Sequence, residues 1–145
     1  MSRLPPGTRL LAVASLVAGA AIIAGILVTG SPAQQRLWRL DESRKADLET
    51  LQLATRDYWR AHGALPQSLA VVAAQPGMSL PLHDPVSDLP YGYRVIDATR
   101  FELCATFATD SARHGGHRGA PPDAWVHPRG SHCFRRATRD PVGLP

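Results

Sequence analysis

Residues Leu10 to Val28 read LLAVASLVAGAAIIAGILV, nineteen positions without a charge and with Ser15 as the only polar side chain. A helix rising about 1.5 Å per residue carries such a stretch about 28 Å, close to the depth of a bilayer's hydrocarbon core. The segment is either a cleaved secretory signal or a retained anchor. Arg3 and Arg9 form a basic lead-in, and Ser31-Pro32-Ala33 is a passable small-residue cleavage site. The apolar core of a signal peptide runs about 7–15 residues, and this one is longer. The expectation is an uncleaved transmembrane helix over 10–29 behind a short cytoplasmic tail, 1–9. No cysteine follows the span before Cys104, which closes the lipoprotein route.

The charges beside the span pull in two directions. Arg36, Arg39, Arg44 and Lys45 follow it and outnumber Arg3 and Arg9, which by simple counting puts the larger part of the chain in the cytoplasm. The basic residues beyond the span are mixed with Asp41, Glu42 and Asp47, whereas the leading tail has no acid. Cysteine usage tips the balance outward. Cys104 and Cys133 are the whole thiol inventory, and an even pair behind a membrane-targeting segment points to one disulfide in an oxidising compartment. Closing a loop of that length is worth about 3 kcal/mol; the alternative is two buried free thiols. The expected location is a bacterial inner membrane, with the C-terminal domain in the periplasm. Small residues four apart (Ala14/Ala18, Ser15/Gly19, Ala21/Gly25) permit close helix packing and self-association.

About 110 residues follow the span, enough for one domain of modest core. They carry fourteen Lys/Arg against twelve Asp/Glu, interspersed, with Arg135, Arg136 and Arg139 as the one short basic cluster. No dense basic stripe and few aromatics are present, so no nucleic-acid partner is expected.

A helical period resumes near Gln35. Leu37, Leu40, Leu48, Leu51, Thr55 and Tyr58 fall three and four apart, predicting a helix over 35–62 with Gly63 as its stop. Asp41, Glu42, Arg44, Lys45, Asp47, Glu49, Arg56, Asp57 and Arg60 read as its solvated face. A break is expected near Gly30–Pro32. Ser68 is a candidate N-cap for a short helix over 69–74, and the passage from Pro81 to Pro90 is turn chemistry. From Tyr91 the period becomes two: Tyr91, Tyr93 and Val95, then a turn at Asp97–Arg100, then Phe101, Leu103, Ala105 and Phe107, which together predict a β-hairpin. Residues 109–124 read as a Gly/Pro/His-rich loop. Trp125–His127 and Ser131–Arg136 are candidates for a third strand around a turn or bulge at Pro128-Arg129-Gly130, with Cys133 opposite Cys104. The domain is therefore set at 30–136 and a flexible tail at 137–145. The fold class is α+β.

One transmembrane helix, a long amphipathic helix and a small antiparallel sheet, in that order, resemble the layout of type IV pilins and type II secretion pseudopilins. Tyr58-Trp59 with Gly63-Ala64-Leu65-Pro66 resembles the helix end and Gly-x-Leu-Pro connection of that group, and Asp84-Pro85 followed by Pro90-Tyr91-Gly92-Tyr93 is similar to the turn and strand of the major pseudopilin. The resemblance covers about residues 35–107. It departs at the N-terminus: Gly7-Thr8-Arg9-Leu10-Leu11 lacks the processing site and the helix glutamate of these proteins, and no acid precedes Asp41. The resemblance thus implies a pilin-like domain on an ordinary anchor, with a filament subunit as the alternative and envelope or secretion-system proteins as partners.

Candidate chemistry is sparse. His83, His114, His117, His127 and His132 invite a metal, but zinc needs three or four converging ligands, and two cysteines joined in a disulfide are lost to it. Cys104 between Leu103 and Ala105 sits at a packing position, although an envelope enzyme or metal protein built on Cys104 and the histidines is a third possibility. Asp84 and Asp88 are the calcium candidates that the resemblance suggests, two carboxylates against the six to eight oxygens calcium takes. Trp125 is either core or a binding-surface anchor. No catalytic residue, metal or cofactor is assigned, and a non-catalytic role is expected.

Overall fold

The computed structural model describes residues 6–29, 31–111 and 124–139. The chain divides into two compact units, Met1–Arg36 and Leu37–Pro145.

In the first unit, helix α1 (Pro6–Thr29, 24 residues) is built from Ala, Leu, Ile and Gly and is long and apolar enough to cross a membrane. Its large apolar side chains from Leu10 to Ile23 are exposed, Leu16 at 77% and Leu10 at 72%. In water, that much apolar surface left uncovered would be strongly unfavourable.

Helix α2 (Pro32–His62, 31 residues) begins three residues before the sequence period suggests. Pro32 holds the first helical position, where its missing N–H costs nothing, and Ser31 caps the end by accepting a hydrogen bond from the Gln34 N–H through its Oγ at 3.2 Å. The helix stops as expected at Gly63, whose positive φ of 71° lets its N–H return to the Trp59 carbonyl at 2.8 Å. Helix α3 (Leu69–Ala73) follows. Ser68 occupies the capping position, but its hydroxyl makes no capping bond, so the expected cap is there in place and not in chemistry.

Strands β1 (Gly92–Val95), β2 (Arg100–Phe107) and β3 (Gly130–Ala137) form an antiparallel sheet in that order. The hairpin falls where the two-residue alternation places it. Its turn is tied by Asp97, which accepts hydrogen bonds from the Thr99 and Arg100 N–H groups, both at 2.9 Å. Phe101, Leu103, Ala105 and Phe107 of β2 are all buried and meet Leu48 and Leu51 of α2, Leu69 of α3, and Tyr91 and Phe134 in one core. The class is α+β, a long helix against a small antiparallel sheet.

The third strand is shorter at its start than the sequence suggests. Trp125–His127 are not in it; β3 begins at Gly130, which takes a φ of 103°. His127 is held instead by Ser111: its N–H donates to Ser111 Oγ at 2.9 Å, and its carbonyl accepts from the Ser111 N–H at 3.0 Å. At the other end the order reaches further than the expected tail boundary. Ala137 closes β3, and buried Thr138 donates its N–H to the Thr99 carbonyl at 2.9 Å. Most of the 109–124 loop, and the tail from 140, lie outside the described residues.

Cys104 and Cys133 face each other across β2 and β3 with Cα atoms 4.0 Å apart and are joined by a disulfide. Gly92 pairs with Cys104 on the other side, so Gly92, Cys104 and Cys133 form one row across the sheet. A Cβ at position 92 would lie 2.8 Å from the Cys104 Cβ. Both atoms belong to rigid paired strands, so neither moves freely. Gly92→Ala is accordingly expected to destabilise the domain by about 1–3 kcal/mol, the usual penalty for overpacking, read as a lower denaturation midpoint in urea.

Candidate functional site

The densest polar cluster among the described residues grows from α2. Continued at strict alternating spacings of four and three, the stripe Leu37, Leu48, Leu51, Thr55, Tyr58 passes through positions 41 and 44. These hold Asp41 and Arg44, and both are buried, at 3% and 8% exposure. They are not on a solvated face, and neither is buried Arg56, whose Nε donates to the Ala137 carbonyl at 2.9 Å.

The Asp41 carboxylate accepts from the Ala108 N–H at 2.9 Å, the Thr109 N–H at 2.7 Å and the Thr109 hydroxyl at 2.6 Å, and from Arg44 Nη1 at 2.9 Å. Arg44 turns the rest of its guanidinium to Asp84, through Nε and through Nη2 at 3.3 Å. Asp84 in turn accepts from the Val86 and Ser87 N–H groups, both at 2.9 Å, which curls the chain into the turn after Pro85. One guanidinium thus fastens α2 to the 84–91 loop, while its partner Asp41 fastens α2 to the end of β2. Burial alone would raise the Asp84 pKa. The Arg44 hydrogen bonds and the two backbone N–H groups outweigh it and hold the carboxyl well below the usual carboxylate range.

This settles where the calcium candidates sit. Asp84 is 6% exposed, and its two oxygens already take four donors. Asp88 lies on the exposed turn at φ 56°, its N–H on the Asp84 carbonyl at 3.0 Å. The two share a turn, but Asp84 faces inward to Arg44. Among the described residues no group of three or more His, Cys, Asp or Glu converges as a metal site would require.

The histidines do not gather. His83 is exposed beside Pro90. His127 is buried and stacked on Phe107 with ring centroids 3.7 Å apart. His132 lies edge-on to Phe134 at 4.8 Å, and burial, then His127, lower its pKa. His114 and His117 lie outside the described residues. Cys104 and Cys133 are bonded to each other, so neither offers a thiolate. Trp125 is core-side: it meets Phe134 edge-on at 4.7 Å, with the Arg136 guanidinium 3.9 Å above its ring.

Two further features complete the surface. On the outer face of the sheet Glu102 is gripped between Arg94, at 2.5 Å from Nη2, and Arg135, at 3.0 Å from Nε; Arg94 first and then Arg135 lower its pKa. An open cleft of about 220 Å³ runs beside the disulfide, lined by Ser87, Pro90, Gly92, Cys104, Thr106 and Ser131 among others. It holds hydroxyls and backbone, and Asp84 at its wall is spent on Arg44. The buried ion network is a joint between elements; all of its carboxylate oxygens are engaged within the fold.

No family model, curated protein or solved structure matches the chain.

Proposed function

We propose that this chain is a single-pass inner-membrane protein whose small pilin-like domain works outside the cytoplasm in a non-catalytic, structural or interaction role in the bacterial envelope. One observation carries the proposal: a helix apolar and long enough to span a bilayer gives way within three residues to a long helix whose far part packs on a disulfide-stapled antiparallel sheet. A disulfide with one exposed cysteine, Cys133, suits an oxidising compartment. The buried Asp41–Arg44–Asp84 joint supplies rigidity rather than reactivity, as a domain that presents a surface requires. Envelope or secretion-system proteins, or further copies of the chain, are the partners this role calls for.

The test is protease added to spheroplasts of a bacterium expressing the full chain. The domain should be digested from outside, and Cys104 and Cys133 should resist alkylation until reduced. A protected domain with two free thiols refutes the proposal. A pseudopilin-like filament subunit is favoured instead by the closed 84–90 turn that delivers Tyr91 and β1, the stretch that carries the resemblance. Cleavage within the first ten residues of the mature protein would select it.

A further inference from the structure

Helices α2 and α3 pack on the sheet face that carries Phe101, Leu103 and Phe107. By the two-residue alternation of the strands, Arg94, Arg100, Glu102 and Arg135 stand on the opposite face. These four, with Val95 and Ile96, line an open hollow of about 450 Å³. All of it lies within the Leu37–Pro145 unit. Glu102, 6% exposed, accepts from Arg94 Nε at 3.2 Å and Nη2 at 2.5 Å, and from Arg135 Nε at 3.0 Å. Arg100 donates its Nε to Asp97 at 2.5 Å. Beyond these bonds the side chains of Arg94, Arg135 and Arg100 remain 72%, 82% and 64% exposed.

We propose that Arg94, Arg100 and Arg135 form a binding site for a phosphate group, carried as an ester on a sugar or lipid headgroup or taken as free phosphate. Charge is the first argument. Three arginines stand against Glu102 and Asp97, so the hollow keeps a positive charge and attracts an added anion. The second is geometry. The two carboxylates take the Nε sides of the guanidiniums. Among the described residues no other group takes Nη1 of Arg94 or either Nη of Arg100 and Arg135. A carboxylate has two oxygens in one plane and is satisfied by one fork. A phosphate has three at tetrahedral angles and accepts from separate arginines at once. Glu102, fixed on the central strand, sets where two of the three guanidiniums stand before any ligand arrives. Val95 and Ile96, 42% and 40% exposed, give one side an apolar wall for the carbon body of an ester. No lining residue is aromatic, so nothing there stacks a base, and a nucleic-acid strand does not fit. The site belongs to this unit alone and does not depend on α1 spanning a membrane.

The experiment is an NMR titration of the full chain in dodecyl maltoside micelles, following the arginine Nε–H signals as inorganic phosphate or glucose phosphate is added. The signals of Arg94, Arg100 and Arg135 should shift saturably. Tighter binding of glucose phosphate assigns the site to an ester, and equal binding assigns it to free phosphate; either result supports the site. Arg94→Gln/Arg135→Gln should weaken binding about tenfold. Arg100→Gln, which leaves Glu102 both of its partners, should weaken it as well. Arg60→Gln/Arg129→Gln, which removes equal charge from exposed positions elsewhere, should leave it unchanged. Glu102→Gln raises the local positive charge but releases the two guanidiniums, so it should bind no tighter than the unmodified chain. Tighter binding by Glu102→Gln would mark a diffuse basic patch and overturn the site. So would no shift with either phosphate, or equal losses in the two double variants. Tighter binding of hexaglutamate than of either phosphate also overturns it, in favour of an acidic protein segment.

Discussion

Arg44→Met is expected to lower the stability of the Leu37–Pro145 unit by about 3–5 kcal/mol, the cost of leaving buried charges without their partner. Methionine fills much of the arginine's volume, so the loss comes from Asp41 and Asp84, which stay buried beside it. Replacing all three by apolar residues would not recover the loss, in contrast to ion networks that only pair with themselves. Asp41 also holds the Ala108 and Thr109 N–H groups and Asp84 those of Val86 and Ser87, and these amides would be orphaned. The network has a pH signature as well. The folded Asp84 pKa lies below its unfolded value of about 3.9, so its contribution is complete above that value and drains away as pH falls toward the folded one. Urea midpoints measured between neutral pH and pH 3 should therefore drop steeply for the unmodified domain. They should fall less for Arg44→Met, which has already lost the contribution. An Arg44→Met domain as stable as its parent would show that the network is not a joint.

The second large effect belongs to the disulfide. With its ends 29 positions apart in the sequence, its removal is expected to cost about 3.5 kcal/mol through the freedom returned to the unfolded chain. Cys104→Ser/Cys133→Ser and simple reduction should shift the urea midpoint alike, with a smaller change in the slope of the transition than in its position. In a domain whose core rests on about nine buried apolar side chains, that is a large fraction of the total. A shift under 1 kcal/mol would mean that pairing of β2 with β3 already holds the ends together without the bond.

The elements were legible where one physical signal dominates. Alternation in Phe101–Phe107 has one solution on a half-buried strand, and the run from Leu10 to Val28 forms a helix long and apolar enough to cross a membrane. A third strand over Ser131–Arg136 sets Cys133 opposite Cys104, as the sheet does. The ion network was not legible by sorting residues into apolar and charged, because that sorting assigns Asp41, Arg44 and Arg56 to water. Spacing held the missing signal. Positions 41 and 44 continue the stripe of Leu48, Leu51 and Thr55, and two opposite charges on a buried stripe ask for partners elsewhere. What spacing alone does not give is the third member, since Asp84 lies forty residues on and reaches Arg44 only through tertiary packing. The start of β3 was misplaced for a related reason: the hydrogen bonds of His127 go to Ser111, a choice no local pattern encodes.

That Ser111–His127 pairing has a consequence for how a fold like this diversifies. Ser111 and His127 are tied to each other by hydrogen bonds at 2.9 and 3.0 Å, which hold the two ends of the intervening segment together. Fifteen positions lie between them, and doubling such a length costs only about 0.6 kcal/mol in closure entropy. The register of β3 is set by its ladder with β2 and by the disulfide. Added chain between Ser111 and Ala124 is thus expected to leave the helix, the sheet and the ion joint with their partners.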